Sequence, residues 1–326
     1  MNRINIISGL AVLLLVTAVS AKTIDKHFNK IYKSVDDQTV LELKHGDGDV
    51  VVRSWDRDEV EVDVRYRAKI SGLGASDDFD VDFEQRGNRI KIVGKEPAFS
   101  FGLFGMRTYE YVYTIHAPAY VQLDLHGADG DVDISERRAD ITIKNADGDV
   151  HIRDVVNEQT RLSMVDGDCE LDNISGNLEI HCVDGDVWLN EIESRDCNIQ
   201  AIDGDITIRH ASGVFQIQAV DGDIQMRDAY ADKVQINASD GDIDLDLRTV
   251  RRINADVQTG DGDIRVRIEK DLSAEVQIST GDGNIRADLS RASQVNTGED
   301  YYSCVLNDGN GSIRIRTGDG DVCLGN

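Results

Sequence analysis

The sequence predicts an all-β protein whose main part is a single-stranded parallel β-helix, in which each coil of chain stacks on the one before it. The first observation is a short motif, Asp-Gly-Asp followed by an aliphatic residue, that recurs at a nearly fixed period. The second is the alternation of apolar and polar residues on both sides of that motif. A fixed period is typical of solenoids, because one coil buries its apolar face only against its neighbours.

The motif first occurs at Asp47-Gly48-Asp49-Val50 and then repeats through the later part of the chain. Successive copies follow one another at a nearly constant step from Asp129 to Asp240, and the next two steps are slightly longer. The later copies begin at Asp129, Asp147, Asp166, Asp184, Asp203, Asp221, Asp240, Asp261, Asp282 and Asp319. Because the step of a repeat equals the length of one coil, we expect coils of about 18–21 residues.

Each coil is predicted to hold two short strands. The third and fifth positions after the first Asp are apolar in nearly every copy, as at Val150 and Ile152. The fourth and second positions before the next Asp belong to another inward pattern, as at Ile143 and Asn145. A period of two gives each strand one buried face, and it leaves no room for a helix within a coil.

The repeat fades near the C-terminus. Residues 294–300 echo residues 277–283, with Glu299-Asp300 in the place of Asp-Gly. We expect these residues to form a degenerate coil that follows the one at Asp282.

The solenoid is predicted to cover residues 117–326, and residues 22–116 to form an N-terminal β-rich region that caps or extends it. Gly87-Asn88 lies between two alternating stretches and suits a tight hairpin. The one candidate helix covers residues 24–32.

Residues 94–106 interrupt the strand pattern with glycines, a proline and aromatic residues. We expect a loop there. Its aromatic residues Phe99, Phe101 and Phe104 either fold back onto the solenoid or form an exposed contact patch.

Residues 1–21 are predicted to be a signal peptide. Arg3 gives a positive start, an apolar run follows, and Val19-Ser20-Ala21 offers small residues for cleavage. The run is short for a membrane span. We expect an exported protein, periplasmic or at the cell surface, that contacts the membrane only during export; the alternative is an uncleaved anchor.

The net charge of −26 limits the classes of partner. Such a field repels the phosphates of nucleic acids, so we expect no nucleic-acid partner. It attracts cationic peptides and basic protein surfaces, and a glycan of the cell envelope is a further candidate.

The Asp-Gly-Asp motif has two interpretations. Gly tolerates a left-handed turn and Asp can bond its own backbone two residues on, so a solvated structural turn is favoured. The alternative is calcium, a hard cation that would neutralise stacked carboxylates. The candidate calcium ligands are Asp147, Asp149, Asp166, Asp168, Asp184, Asp186, Asp203, Asp205, Asp221, Asp223, Asp240 and Asp242.

Catalytic residues are not evident. His151, His181 and His210 fall at different positions of the repeat. Nothing in the spacing of the five cysteines matches a zinc or Cys-x-x-Cys redox motif. The inward cysteines, Cys169, Cys182 and Cys197, are expected to be buried free thiols, with Cys169–Cys182 and Cys304–Cys323 as alternative bridges.

Two stretches carry a resemblance to a known family. Residues 46–62 read Gly-Asp-Gly-Asp-Val-Val-Val-Arg-Ser-Trp-Asp-Arg-Asp-Glu-Val-Glu-Val, and His116-Ala117-Pro118-Ala119 leads into the first full coil. With the repeat itself, they resemble the bacterial "putative adhesin" family of exported β-strand-repeat proteins, a domain of unknown function. The resemblance covers residues 38–326 and implies a right-handed coil, a cell-envelope setting and no catalytic residues.

These observations predict a non-catalytic β-solenoid that acts as a binding, adhesion or scaffold surface at the envelope. One alternative is a calcium-binding adhesin rod built on the Asp-Gly-Asp ladder. The other is a carbohydrate-active enzyme, which would need a groove with its own charged residues.

Overall fold

The computed structural model describes residues 22–70, 79–96, 107–248 and 252–326. The predicted all-β class is confirmed: the described elements are 25 strands, all joined by hydrogen bonds into one sheet that winds into a solenoid-like stack. The predicted signal peptide and Phe99, Phe101 and Phe104 lie outside the described residues. Within the described ranges, no helix is long and apolar enough to cross a membrane.

The first third of the chain combines antiparallel strands with strands of the stack. Strand β1 pairs with β4 and β4 with β7, all antiparallel, and β5 and β6 form the predicted hairpin across Gly87-Asn88. The bounds are β1 Lys22–Lys33, β2 Val40–Lys44, β3 Asp49–Ser54, β4 Glu59–Ile70, β5 Asp80–Arg86, β6 Arg89–Lys95 and β7 Arg107–Ala117.

The helix predicted at residues 24–32 is wrong, because these residues belong to strand β1. Ile24 and Tyr32 are buried, and Phe28 is partly buried on the same side of the strand. Their even spacing fits the two-residue period of a strand. β1 pairs with β4 along its whole length, which gives one edge of its backbone hydrogen-bond partners.

The early copy of the motif joins the same stack as the later ones. Strand β2 pairs in parallel with β6, and β3 with β7. At the turn between β2 and β3, the Gly48 amide donates to the Asp129 carbonyl at 2.9 Å. The division at residues 116 and 117 stays a prediction.

The central coils stack in parallel, like residue on like residue. Val150 pairs with Cys169 and Ile152 with Leu171. The buried aliphatic side chains of successive coils form one continuous core. The bounds are β8 Gln122–Asp129, β9 Val132–Arg137, β10 Ile141–Asp147, β11 Val150–Asp166, β12 Cys169–Asp184, β13 Val187–Asp203, β14 Ile206–Arg209, β15 Ser212–Ala219, β16 Ile224–Ala238, β17 Ile243–Arg248, β18 Asn254–Asp261 and β19 Ile264–Ile268.

The C-terminal coils do not stack in chain order. The final strands are β20 Ala274–Asp282, β21 Ile285–Asp288, β22 Ala292–Thr297, β23 Tyr301–Leu306, β24 Ser312–Asp319 and β25 Val322–Gly325. Strand β24 pairs in parallel with both β18 and β20, and β25 with both β19 and β21. The last coil of the chain therefore lies between two coils that precede it in sequence.

The degenerate coil predicted at residues 294–300 is wrong. Strands β22 and β23 form an antiparallel hairpin, and β23 pairs antiparallel with β20. A strand added in the antiparallel sense ends the column of parallel coils, so this hairpin caps the stack at β20.

Candidate functional site: the Asp-Gly-Asp corner and the groove beside it

We call the Asp-Gly-Asp turn of each coil the first corner. Its glycine is required by two independent constraints. Gly148 has φ of +110°, a conformation that side chains strain. A Cβ built there would also lie 2.5 Å from the carbonyl oxygen of Gly130 in the preceding coil. The predicted left-handed glycine is confirmed, and the close approach of stacked corners explains why no other residue replaces it.

The second Asp of each motif binds the neighbouring coil. Its Oδ1 accepts a hydrogen bond from the backbone amide of the second Asp one coil further along, as from Asp149 N to Asp131 Oδ1 at 2.9 Å. Bonds of 2.8–2.9 Å continue from the amides of Asp168, Asp186, Asp205, Asp223, Asp242, Asp263, Asp321 and Asn284. We call these residues the second column.

The expectation that these aspartates bond their own backbone two residues on is wrong. In a stack, the amide of the next coil lies within reach of the carboxylate, and a charged acceptor makes a stronger hydrogen bond than a neutral one. The second column is therefore structural, and each charge is stabilised by an amide of the adjacent coil.

The first Asp of each motif has a different environment. Asp166, Asp184 and Asp203 are exposed. No side-chain hydrogen bond or ion pair to these three carboxylates is found among the described residues. Desolvation, with the nearby charges of Asp261 and Asp221, raises the pKa of Asp240. We call these carboxylates the first column; they repel one another and face solvent.

The twelve candidate calcium ligands thus divide between the two columns. Asp149, Asp168, Asp186, Asp205, Asp223 and Asp242 use one oxygen on a backbone amide, whereas Asp147, Asp166, Asp184, Asp203, Asp221 and Asp240 belong to the first column. Within the described part of the chain, no group of three or more His, Cys, Asp or Glu is arranged to hold a metal ion. The calcium assignment stays a prediction.

In several coils, the side chain two places before the first Asp bonds the corner from inside the coil. Asn145 Nδ2 donates to the carbonyls of Gly130 and Asp147, at 3.0 and 2.8 Å. Thr317 Oγ1 makes the same contacts to Gly262 and Asp319, at 3.0 and 3.2 Å. In the sequence this place is mostly occupied by small residues; the donors Asn145 and Thr317 that occupy it in some coils are the signal that was missed.

A shallow groove runs beside the first corner, along the stacking direction. We call it the axial groove; its volume is about 580 Å³. The floor consists of the buried small residues Cys182, Ala201 and Ala219. Its lining residues are His181, Cys182, Val183, Gln200, Ala201, Ile202, Gln218, Ala219, Val220 and Asn237.

The two walls of the axial groove differ in chemistry. One wall is polar and carries Gln200 and Gln218. The other is formed by Val183, Ile202 and Val220, with exposed fractions of 41%, 50% and 43%. Val165, 53% exposed, continues this row in the preceding coil beyond the groove, and we call the four residues the aliphatic wall. The next residue in each of these coils is a first-column aspartate. Four aligned β-branched side chains in solvent, next to free carboxylates, are not needed for the core.

In six consecutive coils, a second turn, which we call the second corner, holds a non-glycine residue in the left-handed conformation. Glu136, Asp154, Asn173, Glu191, His210 and Asp228 all have φ between +49° and +59°. They stand seven places after the first Asp of their coil. Polar residues tolerate this conformation better than β-branched ones, so the run of polar residues at this position in these six coils was the available sequence signal.

The cysteines show no sign of a nucleophile. All five are free; Cys169, Cys182, Cys197 and Cys304 are buried and Cys323 is exposed. Burial raises the pKa of Cys182 to about 11 and that of Cys197 to about 12, so both stay as unreactive thiols at neutral pH.

The three candidate histidines each contact a different acidic residue. His151 lies 3.1 Å from Glu170, His181 lies 3.4 Å from Glu179, and His210 lies 3.9 Å from Asp228. They do not converge on one site.

Stacked coils with ordered corners and an open groove define the class of a solenoid-like repeat protein. The model of the family described as Toastrack DUF4097 matches residues 38–268 and 252–324, and the chain belongs to that family. This confirms the resemblance found in the sequence. None of the curated proteins matches the chain.

Three crystal structures are similar to this chain. One is a "putative cell adhesion protein" from Clostridium sporogenes (12% identity, TM-score 0.24, 92% of this chain and 99% of that chain). Another is a "putative adhesin" from Bacteroides fragilis (12%, 0.35, 92% and 97%). A third is a "putative lipid binding protein" from Parabacteroides distasonis (16%, 0.35, 91% and 96%). Identities and scores this low do not carry what those proteins bind over to this chain.

Proposed function

We propose that the protein is a non-catalytic, exported binding scaffold whose axial groove holds a basic amphipathic segment of another polypeptide. One observation carries the proposal: the aliphatic wall stands between the groove floor and the first column of free carboxylates. We include in this proposal a right-handed winding, coils of about 18–21 residues, and a domain division between residues 116 and 117. We also propose that residues 1–21 are a signal peptide and that the protein is located at the cell envelope.

The aliphatic wall fits one face of an amphipathic helix. Four coils at a strand spacing of about 4.8 Å give a wall about 14 Å long. That length equals two to three helical turns at about 5.4 Å each. Apolar residues of the partner would pack on Val183, Ile202 and Val220, as in other helix-in-groove complexes.

The first column supplies the charge complementarity. Lysine or arginine side chains on the flank of such a helix would reach Asp184, Asp203 and Asp221, which have no cationic neighbour among the described contacts. Because these carboxylates are exposed, their contribution is mainly to the association rate and to partner choice. Binding should therefore weaken as salt is added.

The chemistry of the groove favours a basic peptide over a neutral glycan. The amides of the polar wall could bind hydroxyl groups, but no aromatic residue lines the groove to stack on a sugar ring. An aliphatic wall of four coils would also remain exposed beneath a hydrophilic chain.

The test is a fluorescence anisotropy titration with a labelled basic amphipathic peptide and a scrambled peptide of the same composition. We expect the wild type to prefer the amphipathic peptide and Ile202→Ser/Val220→Ser to lose most of that preference. Val295→Ser is the matched control, since Val295 is 53% exposed on the C-terminal hairpin and outside the groove.

Equal binding of the two peptides by the wild type would overturn the proposal. An equal loss in Val295→Ser and in the groove variant would also overturn it. Far-UV circular dichroism and urea unfolding of each variant establish that the fold is intact.

A further inference from the structure

A second cavity lies at the opposite side of the first coils, where the loop after β3 and the turn after β7 meet the second corners. We call it the second-corner cavity; its volume is about 830 Å³. Its lining includes Trp55, Arg57, Tyr120 and the three consecutive residues Glu136, Arg137 and Arg138. This volume is in the usual range of small-ligand sites.

Arg137 is a buried cation without a carboxylate partner among the described residues. Its exposed fraction is 1%. Nη1 donates to Ser54 Oγ at 2.9 Å and to the Ala117 carbonyl at 3.2 Å, and Nη2 donates to the Val121 carbonyl. The Nε atom is buried with no hydrogen-bond acceptor. These acceptors are neutral, so the positive charge remains uncompensated at the edge of the cavity.

Arg57 is held in place by an aromatic ring. Its guanidinium lies over the ring of Trp55, 4.7 Å from the centroid. The Trp55 ring stacks on His116, with centroids 5.4 Å apart, and its indole N–H donates to the Glu59 carbonyl at 2.8 Å. Trp55 is therefore fixed, and it orients Arg57 without using the guanidinium's own donors.

Arg57 and Arg138 also lack a carboxylate partner within the described ranges. In a chain of net charge −26, several other arginines are paired with an acid. Arg53 binds Asp133 at 2.6 Å and Arg227 binds Asp244 at 2.6 Å. Three guanidiniums left free of acids at one cavity indicate an external anion, because guanidinium binds carboxylate or phosphate with two parallel hydrogen bonds.

The other polar groups of the cavity indicate which class of anion it would bind. Four acids, Asp56, Asp58, Glu136 and Asp154, also line the cavity, and Tyr120 Oη already donates to Asp58 at 2.8 Å. Carboxylates accept hydrogen bonds from hydroxyl groups. They also disfavour a doubly charged phosphate more than a singly charged carboxylate. The ligand that fits both sets of groups is a sugar acid, with one carboxylate and several hydroxyls.

We propose that the second-corner cavity binds a carboxylate-bearing sugar unit of an acidic polysaccharide. The sugar carboxylate lies between Arg57 and Arg138, above the fixed charge of Arg137. Its hydroxyls donate to Glu136 and Asp154. This site is separate from the axial groove and does not depend on peptide binding there.

The test is isothermal titration of the full-length mature protein with a tri-galacturonate and with a neutral trisaccharide. We expect the galacturonate to bind at least about tenfold more tightly, as one charge-assisted hydrogen-bonded pair allows. Arg57→Gln/Arg138→Gln should abolish that difference. Arg195→Gln/Arg209→Gln is the matched control, since both residues are exposed and stand outside the cavity.

Equal binding of the charged and neutral sugars, or no binding of either, would overturn the proposal. An equal loss in the control variant would do the same, because the effect would then be one of net charge. Trp55→Phe gives a second readout: it keeps a ring under Arg57 and should retain most of the preference, whereas Trp55→Ala should lose it. Retained binding of the amphipathic peptide by the cavity variants would separate this site from the axial groove.

Discussion

The two columns of aspartates at the first corner carry the same residue type, with coils about 4.8 Å apart, yet the structure uses them differently. Second-column carboxylates accept an amide hydrogen bond from the next coil, as Asp168 does from Asp186 at 2.9 Å. First-column carboxylates such as Asp166 are exposed and lack such a bond. One half of the motif therefore holds the coils together, while the other half is free to meet a partner.

The glycine between the two columns should give the largest effect on stability. In Gly185→Ala, the new Cβ meets the carbonyl of Gly167 at a φ of +127°. We expect a loss of at least about 3 kcal/mol in the free energy of unfolding, or no folding, because strain and overpacking add.

Urea denaturation measures the loss. Gly87→Asn is the control, because Gly87 has φ of +57° and a Cβ added there would meet no atom within 4 Å, a geometry that Asn tolerates. Equal losses at the two positions would contradict the close stacking of first corners.

Lowering the pH should destabilise the Asp-Gly-Asp corner at residues 47–49, because a buried histidine, His45, lies next to it. Burial lowers the pKa of His45 to about 4, and its ring lies against that of Tyr113, tilted by 37°, with centroids 5.1 Å apart. The pKa in the folded state is below that of an unfolded His, so the unfolded chain binds more protons as the pH falls. The contribution of neutral His45 to the free energy of unfolding is therefore fully present above about pH 6.5. Up to about 3 kcal/mol of it is lost between about pH 6.5 and pH 4.

The measurement is urea unfolding as a function of pH for the wild type and His45→Phe. As the pH falls, the free energy of unfolding of the wild type should fall relative to that of His45→Phe, because Phe has no proton to gain. Burial raises the pKa of the adjacent Asp47, which acts in the opposite sense and is common to both proteins. A difference that is constant with pH would show that His45 does not titrate in this way.

The two columns should differ when one carboxylate is removed from each. Asp168→Ala leaves the Asp186 amide without its 2.9 Å partner, and we expect a loss of about 1–2 kcal/mol. Asp166→Ala in the same coil removes an exposed, repelled charge, so its effect should stay within about 0.5 kcal/mol.

Asp168→Asn sharpens this comparison, since an amide oxygen still accepts the bond and Asn284 occupies the same position near the C-terminus. It should recover most of the loss of Asp168→Ala. Equal destabilisation by Asp166→Ala and Asp168→Ala would remove the distinction between the columns.

Calcium should have the smallest effect. Second-column carboxylates are already bonded, and the described residues contain no cluster arranged for a metal. We expect the melting temperature in millimolar calcium to equal that in chelator. A calcium-binding rod would instead gain about 2.7 kcal/mol at a concentration 100 times Kd, which is an easily measured rise.

The sequence predicts the central coils well because each new coil there stacks on the one just made. There the period of the motif predicts which residues of neighbouring coils pair, such as Val150 with Cys169. At each end of the stack, the outermost strands have unpaired backbone groups. These edges must be covered, and the repeat does not predict how. At the C-terminus, β24 lies between β18 and β20, a strand order that the period of the motif does not predict.

The binding surfaces were only partly visible in the sequence. The acidic corner was evident from the motif, but the unequal roles of Asp166 and Asp168 depend on which amide lies across the gap between coils. The aliphatic wall was hidden because Val183 and Ile202 follow inward residues and look like part of the core pattern. The second-corner cavity joins residues that are far apart in the chain, such as Trp55 and Arg137.

The most direct test of the proposed function compares first-column aspartates with exposed carboxylates elsewhere on the protein. The labelled amphipathic peptide is titrated into Asp184→Asn/Asp203→Asn/Asp221→Asn and into Glu158→Gln/Glu193→Gln/Asp232→Asn, which removes three exposed charges away from the axial groove. We predict a loss of affinity of about tenfold and a weaker salt dependence in the first variant only. An equal loss in both variants, or none in the first, would contradict the first column as the contact for a basic partner.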